Sequence, residues 1–287
     1  MIAVYRALLA TLLVGCYSPS YDNCAISCAT SGCPDSYQCD SQLHVCRRSG
    51  TSCSPADAAA DTAGSDAIAD GSAATGCMYI QDVANVGGGA SLQVNFTTPI
   101  AAGSFVVVTI AQNASAPQTI SSVADQGSTL FSRAVLRTEG DATSAIYYVP
   151  SAPAPISQVT VAWTSSVAEV IDVSEWRCSP TPTFMTSAMG GAQISNTTIS
   201  AGQVALAGPS LVFGTLTTNT STLPVIQTQG FTTLHAQAFT ATNGIKSTIG
   251  AVYGFFGGTN DLDVTYSVPQ SSLVTGTVAA FAASPTM

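Results

Sequence analysis

From Cys77 onward the chain is a succession of short runs of Val, Ile, Thr, Tyr and Phe cut by Gly, Pro, Asn and Ser, and no stretch offers a persuasive amphipathic helix. β-branched and aromatic residues fit a pleated surface and the intervening residues make turns, so this pattern points to antiparallel sheet. The runs predict strands at Met78–Asp82, Ala90–Phe96, Ser104–Ala111, Thr119–Ala124, Phe131–Arg137, Thr143–Tyr148, Gln158–Thr164 and Glu169–Arg177. After Gly191 they continue at Ser210–Thr217, Phe231–Phe239, Lys246–Phe255, Leu262–Ser267 and Ser272–Ala282. So many short strands suit two packed antiparallel sheets, and residues 77–287 are expected to form one all-β sandwich.

The strands repeat. Gly103-Ser104-Phe105-Val106-Val107 returns as Pro209-Ser210-Leu211-Val212-Phe213, Ala145-Ile146-Tyr147-Tyr148 as Ala251-Val252-Tyr253-Gly254, and Val159-Thr160-Val161-Ala162-Trp163 as Leu262-Asp263-Val264-Thr265-Tyr266. Val170-Ile171-Asp172-Val173 can be laid on Thr275-Gly276-Thr277-Val278. A unit of four or five strands is expected not to bury its own apolar faces. Two units stacked face to face then share one core in the pseudo-doubled order of a jelly-roll-like sandwich. Two separate immunoglobulin-like domains are the alternative; no clear linker breaks the region, and Cys77 and Cys178 bracket only the first copy.

Three segments precede the sandwich. Residues 1–15 carry Arg6 near the start and an apolar stretch from Ala7 to Val14, the layout of an export signal; they fall short of the roughly 20 apolar residues of a spanning helix. Residues 16–53 are too short-looped to build a core from apolar burial, and six cysteines, Cys24, Cys28, Cys33, Cys39, Cys46 and Cys53, read as disulfide staples. Their spacings lack the paired Cys-x2-Cys of zinc modules and only His44 is nearby, so no metal is assigned. Residues 54–76 switch to Ala, Asp, Gly, Ser and Thr, with Asp57, Asp61, Asp66 and Asp70 and no basic residue: a solvated, disordered linker.

Leu13-Val14-Gly15-Cys16 resembles a bacterial lipobox. The resemblance implies diacylglycerylation of the Cys16 thiol, cleavage before Cys16 and acylation, palmitate among the chains, of the freed amine. An ordinary signal peptide with Cys16 in a disulfide, or an uncleaved anchor, is the plainer reading. With Cys16 lipidated, eight of the nine cysteines remain for an oxidising compartment, read as three local disulfides and a long-range Cys77–Cys178 bond; Cys53–Cys77 is the competing pair. Asn23-Cys24 through Cys33-Pro34 to Cys46-Arg47 is similar to the cysteine-rich stretch that follows the anchor in many bacterial surface lipoproteins. Tyr17 supplies no acidic retention signal, which by the same resemblance implies the outer membrane or cell surface.

Charged residues make up 8% of the chain, its net charge is −9, and its few basic residues cannot neutralise a phosphate track, so nucleic acid is excluded as a partner. No basic run adjoins Cys16, which leaves lipid as the membrane attachment. Chemistry is sparse as well. His235 sits on an expected strand with no Gly-x-Ser-x-Gly elbow before it. Glu169, Asp172 and Glu175 look like a carboxylate set, yet strand alternation puts Asp172 on the opposite face from the glutamates, and Glu169 and Glu175 lie too far apart for glycoside hydrolysis. No catalytic residue and no cofactor is assigned. Asp125 and Asn260-Asp261-Leu262-Asp263 offer oxygens for calcium, though Asp and Asn at such places ordinarily start turns. Among the aromatics, Tyr148, Trp176 and Phe256 are candidate ligand-binding platforms, with core packing the default.

Val123-Ala124-Asp125-Gln126-Gly127-Ser128-Thr129-Leu130-Phe131, Ala145-Ile146-Tyr147-Tyr148 and Val173-Ser174-Glu175-Trp176 together resemble a widespread bacterial extracellular β-sandwich domain, with departures at Gln126, Ser128 and Trp176. The resemblance implies a surface domain of the adhesive or glycan-binding kind and no catalytic residues. The expectation is a lipid-anchored bacterial envelope protein, attached to the membrane by its N-terminal lipid, that displays a non-catalytic binding or adhesion domain for a surface glycan or envelope partner. A purely structural envelope component and a secreted-type hydrolase are the alternatives.

Overall fold

The computed structural model describes residues 26–27, 37–40, 45–48, 76–114, 118–191, 193–194, 198–240, 244, 246–268 and 272–283. The chain divides into two units, Met1–Ala69 and Asp70–Met287. In the first, β1 (Ile26–Ser27), β2 (Tyr37–Asp40) and β3 (Val45–Arg48) pair antiparallel in the order β1-β3-β2, with Cys39 opposite Cys46. The expected export signal, Cys16, Cys24, Cys28, Cys33, Cys53, the side chains of Cys39 and Cys46, and the expected linker as far as residue 75 lie outside the described residues.

The second unit is all-β and antiparallel, and it is doubled. The first repeat comprises β4 (Cys77–Ile100), β5 (Phe105–Asn113), β6 (Ile120–Asp125), β7 (Ser132–Glu139), β8 (Ala142–Val149) and β9 (Ile156–Cys178). The second comprises β10 (Thr183–Gly190), β11 (Gln193–Ile194), β12 (Thr198–Ala205), β13 (Ser210–Thr218), β14 (Val225–Ile226), β15 (Phe231–Thr240), β16 (Lys246–Phe256), β17 (Asp261–Ser267) and β18 (Ser272–Ala282). β4 and β9 pair along most of their length and serve two layers. Their outer parts, Cys77–Gly89 and Val167–Cys178, belong to a five-stranded layer β4-β9-β5-β8-β7; their inner parts join β6 in a three-stranded one. Register shifts between Gly89 and Ser91 let both strands turn from one layer to the other. The second repeat has the same order with the long strands broken: β10-β18-β13-β16-β15 in one layer, with β11 also on β18, and β12-β17-β14 in the other. The matched sequence segments fall on equivalent strands, β5 with β13 and β8 with β16, but register sets Tyr147 of β8 at the place of Val252 in β16, one residue from the sequence match, which had set Ile146 there.

Each repeat encloses a core of its own, a difference from the expectation that neither closes alone. Val94, Phe96, Val106, Val108, Ile110, Val159, Val161, Trp163, Ile171 and Val173 fill the first, and Ile199, Val204, Val212, Leu216, Val252, Val264, Tyr266, Val274 and Val278 fill the second. The two five-stranded sheets also face each other. Between them lie Phe105, Val107, Ile146, Trp176, Leu211, Phe213, Ala279 and Phe281, with Ala111, Val170, Phe239, Ile249 and Ala251 beside them. The expected pair of facing sheets is thus the middle of a four-layer stack. This is why β5 and β13 are apolar on consecutive residues and buried throughout: a strand covered on both faces carries no polar alternation.

Cys77 and Cys178 are opposite each other in the β4–β9 register, joined by a disulfide with their Cα atoms 4.0 Å apart. The bond ties the start of the first repeat to its end, the expected pairing rather than the competing Cys53–Cys77.

Candidate functional site

The aromatic candidates sit mostly inside. Trp176 is fully buried between the repeats, its ring edge-on to Tyr253 at 4.6 Å and to Phe213 at 5.4 Å, and its indole N–H donates to Ser174 Oγ at 2.9 Å. A ring without accessible surface cannot stack on a sugar, so Trp176 is corrected from platform to packing residue. Tyr148 is half-buried in the same interface against Phe281 and Phe184. Phe256 is half-buried at the edge of the second core, packed on Phe231 at 5.1 Å. The three are not brought together on one surface.

The acids separate by strand alternation. Glu175 points into the first repeat, where it accepts hydrogen bonds from Gln81 Nε2 at 2.6 Å, Ser104 Oγ at 2.6 Å and the Ala101 amide at 2.9 Å. Asp172 points the other way, into the interface. It is fully buried, neither carboxyl oxygen has a hydrogen-bond partner, and burial, reinforced by the nearby Asp82 charge, pushes its pKa well above the carboxylate range. His235 lies on β15 near Asp82; burial lowers its pKa, with a Gln237 hydrogen bond and the Asp82 charge opposing, and its Nε2 has no partner. Asp125 is a turn-former: Oδ1 accepts the amides of Gly127 and Thr129, both at 2.8 Å, and Ser128 in that turn has φ of 67°. Asp263 accepts a hydrogen bond from Ser200 Oγ. Among the described residues no three or more His, Cys, Asp or Glu side chains form a metal-binding group.

Two features remain that can engage another molecule. The first is the outward face of the three-stranded layer in the first repeat. Strand alternation sends Val94, Phe96, Val159, Val161 and Val123 inward and leaves Gln93, Asn95, Gln158, Thr160 and Ser122 outward, with no charged residue among them. Gln158 is the hub, its amide donating to Asn95 Oδ1 at 2.8 Å and Gln93 Oε1 at 3.2 Å. Such a face offers donors and acceptors fixed in a plane.

The second lies inside the first repeat, at the end of the sandwich where β5 stops and β8 begins. Register aligns Glu169, Gln112, Thr143 and Thr138 across β9, β5, β8 and β7, and Trp163, paired with Ile120 of β6 in the facing layer, is buried in the same core. Thr138 and Thr143 bond each other at 3.0 Å. Glu169 Oε1 and Oε2, Gln112 Oε1 and Nε2, and Trp163 Nε1 are buried without a partner. Desolvation pushes the Glu169 pKa up to about 9, so at neutral pH it is an uncharged acid. The sequence reading missed Gln112, although an amide ending an otherwise apolar run was a visible signal.

No protein-family model, curated protein or solved structure matches this chain.

Proposed function

We propose that this is an exported, lipid-anchored protein of the bacterial envelope, held to the membrane through Cys16, whose doubled sandwich is a non-catalytic binding or adhesion module for uncharged, hydroxyl-rich ligands of the glycan kind. The observation that carries the binding half is the outward face of the first repeat: an amide and hydroxyl array in which exposed Gln93 and Asn95 flank half-buried Gln158, without charge to attract nucleic acid or acidic partners. Export is supported by the Cys77–Cys178 bond, since a structural disulfide belongs to an oxidising compartment. The lipobox-like Leu13-Val14-Gly15-Cys16 supports the anchor, and the segments before the sandwich provide its spacer.

The test of the binding face is a glycan array probed with the Cys16→Ser protein, recovered in soluble form, beside the same protein carrying Gln158→Lys. The expected result is binding to a subset of neutral glycans that weakens at least tenfold in Gln158→Lys, because the hub amide is replaced by a hydrated cation. A blank array, or equal binding by both proteins, contradicts the face as the site.

A further inference from the structure

The two repeats share one topology, so each serves as the control for the other. Matching β5, β8 and β9 to β13, β16 and β18 by register places Thr218 where the first repeat has Gln112, Val274 where it has Glu169 and Thr248 where it has Thr143; the sequence repeat sets Tyr266 at the place of Trp163. In the second repeat this row is closed. Thr218 and Thr248 hydroxyls bond each other at 2.6 Å, Tyr266 Oη donates to Gly250 O at 3.3 Å, and Val274 is apolar. The layers there touch at backbone level: a Cβ on Gly276 would lie 2.6 Å from Ala201 Cα, and one on Gly190 2.2 Å from Ser200 O. Ile171 occupies the Gly276 position in the first repeat. The fold itself therefore requires no polar atoms at this place.

Yet the first repeat puts five buried, unpartnered polar atoms there, on Glu169, Gln112 and Trp163. Buried polar groups are almost always hydrogen-bonded, and each orphan is costly to keep. We propose that this end of the first repeat is a binding subsite for a small uncharged hydroxyl-bearing group, such as one sugar residue or polyol presents. The inventory fits that class. Trp163 only donates, Gln112 donates and accepts, and Glu169, held neutral by burial, also does both. A hydroxyl likewise donates and accepts. An anion would meet no cation in the row, and an ammonium ligand would require Glu169 to ionise where burial opposes it.

The row lies close to exposed chain. Gln112 is the penultimate residue of β5 and Thr143 the second of β8; Glu169 and Trp163 flank the exposed Thr164, Ser165 and Ser166. This subsite is separate from the Gln158 face, so array binding through that face and occupancy of this row succeed or fail independently.

The test uses the full-length protein and the indole N–H resonance of Trp163, assigned with Trp163→Phe; Trp176 is the only other tryptophan and an internal control. Glucose, N-acetylglucosamine and glycerol are titrated in turn. The expected result is a saturable shift of the Trp163 resonance by at least one probe, with Trp176 unmoved, and affinity at least tenfold lower in Glu169→Val/Gln112→Thr, which carries the second repeat's residues. No saturable shift with any probe overturns the proposal and leaves the row a hydrated core. So does an unchanged titration in the double variant. If the double variant does not fold, the wild-type titration decides alone.

Discussion

At the scale of single residues, Glu169 is the position where sequence said least and structure says most. Alternation correctly set it apart from Asp172 and on the face of Glu175, but it could not tell that Glu175 gains three hydrogen bonds while Glu169 gains none. Partners that arrive from Gln81, Ala101 and Ser104 are set by the bends of β4 and the loop after it, which a period of two does not encode. The consequence is measurable through pH. Glu169 stays protonated in the fold up to about 9, whereas in the unfolded chain it ionises near 4.5, so between those values unfolding releases its proton. Stability from this group is therefore fully present below about 4.5 and is lost as pH rises, by at most about 1.4 kcal/mol per pH unit. Glu169→Gln removes that titration. Urea unfolding at pH 5 and pH 8 should show wild type losing at least about 1 kcal/mol more than the variant over this interval. Parallel losses would mean that Glu169 is ionised in the fold. Asp172, buried with the same sign of shift, stays in both proteins and cancels from the comparison.

At the scale of elements, strand existence was legible and strand continuity was not. Met78–Asp82 and Ala90–Phe96 read as two strands because Gly87-Gly88-Gly89 intervenes, and glycine ordinarily weakens a strand. The structure runs β4 through that glycine stretch from Cys77 to Ile100, because β9 pairs with it on either side of the bend. The corresponding path in the second repeat is cut into β10, β11 and β12, and its layers close on glycine. Gly276 is the contact that matters there, since a Cβ would press on Ala201 backbone, whereas Gly257 has nothing within 4 Å. Gly276→Ala should cost about 1–3 kcal/mol, the range for overpacking, while Gly257→Ala should stay within about 0.5 kcal/mol of wild type. Denaturant midpoints with unchanged slope decide this. Equal behaviour of the two variants would show that the layers of the second repeat have room to part.

At the scale of the whole molecule, the duplication and the Cys77–Cys178 bond were both readable from sequence, one from recurring strand motifs and the other from two cysteines that stand apart from the N-terminal cluster and bracket the first copy. What was not readable is which surface covers which. Phe105 through Ala111 is apolar at nearly every position, and such a run says that both faces are covered without naming the cover. The four-layer stack supplies the answer: one face meets the first repeat's own small layer, and the other meets the second repeat through Phe105, Trp176, Phe213 and Phe281. The same arrangement leaves the outward face around Gln158 turned to solvent. The proposed function requires a chain that is exported and anchored. The measurement that reads this most directly is the intact mass of the mature protein extracted from bacterial membranes, before and after reduction. The account predicts a chain beginning at Cys16, heavier by a diacylglycerol and an amide-linked acyl chain, that gains mass on reduction only from the paired cysteines beyond Cys16. A mature chain with an unmodified Cys16, or with Cys16 in a disulfide, would contradict it.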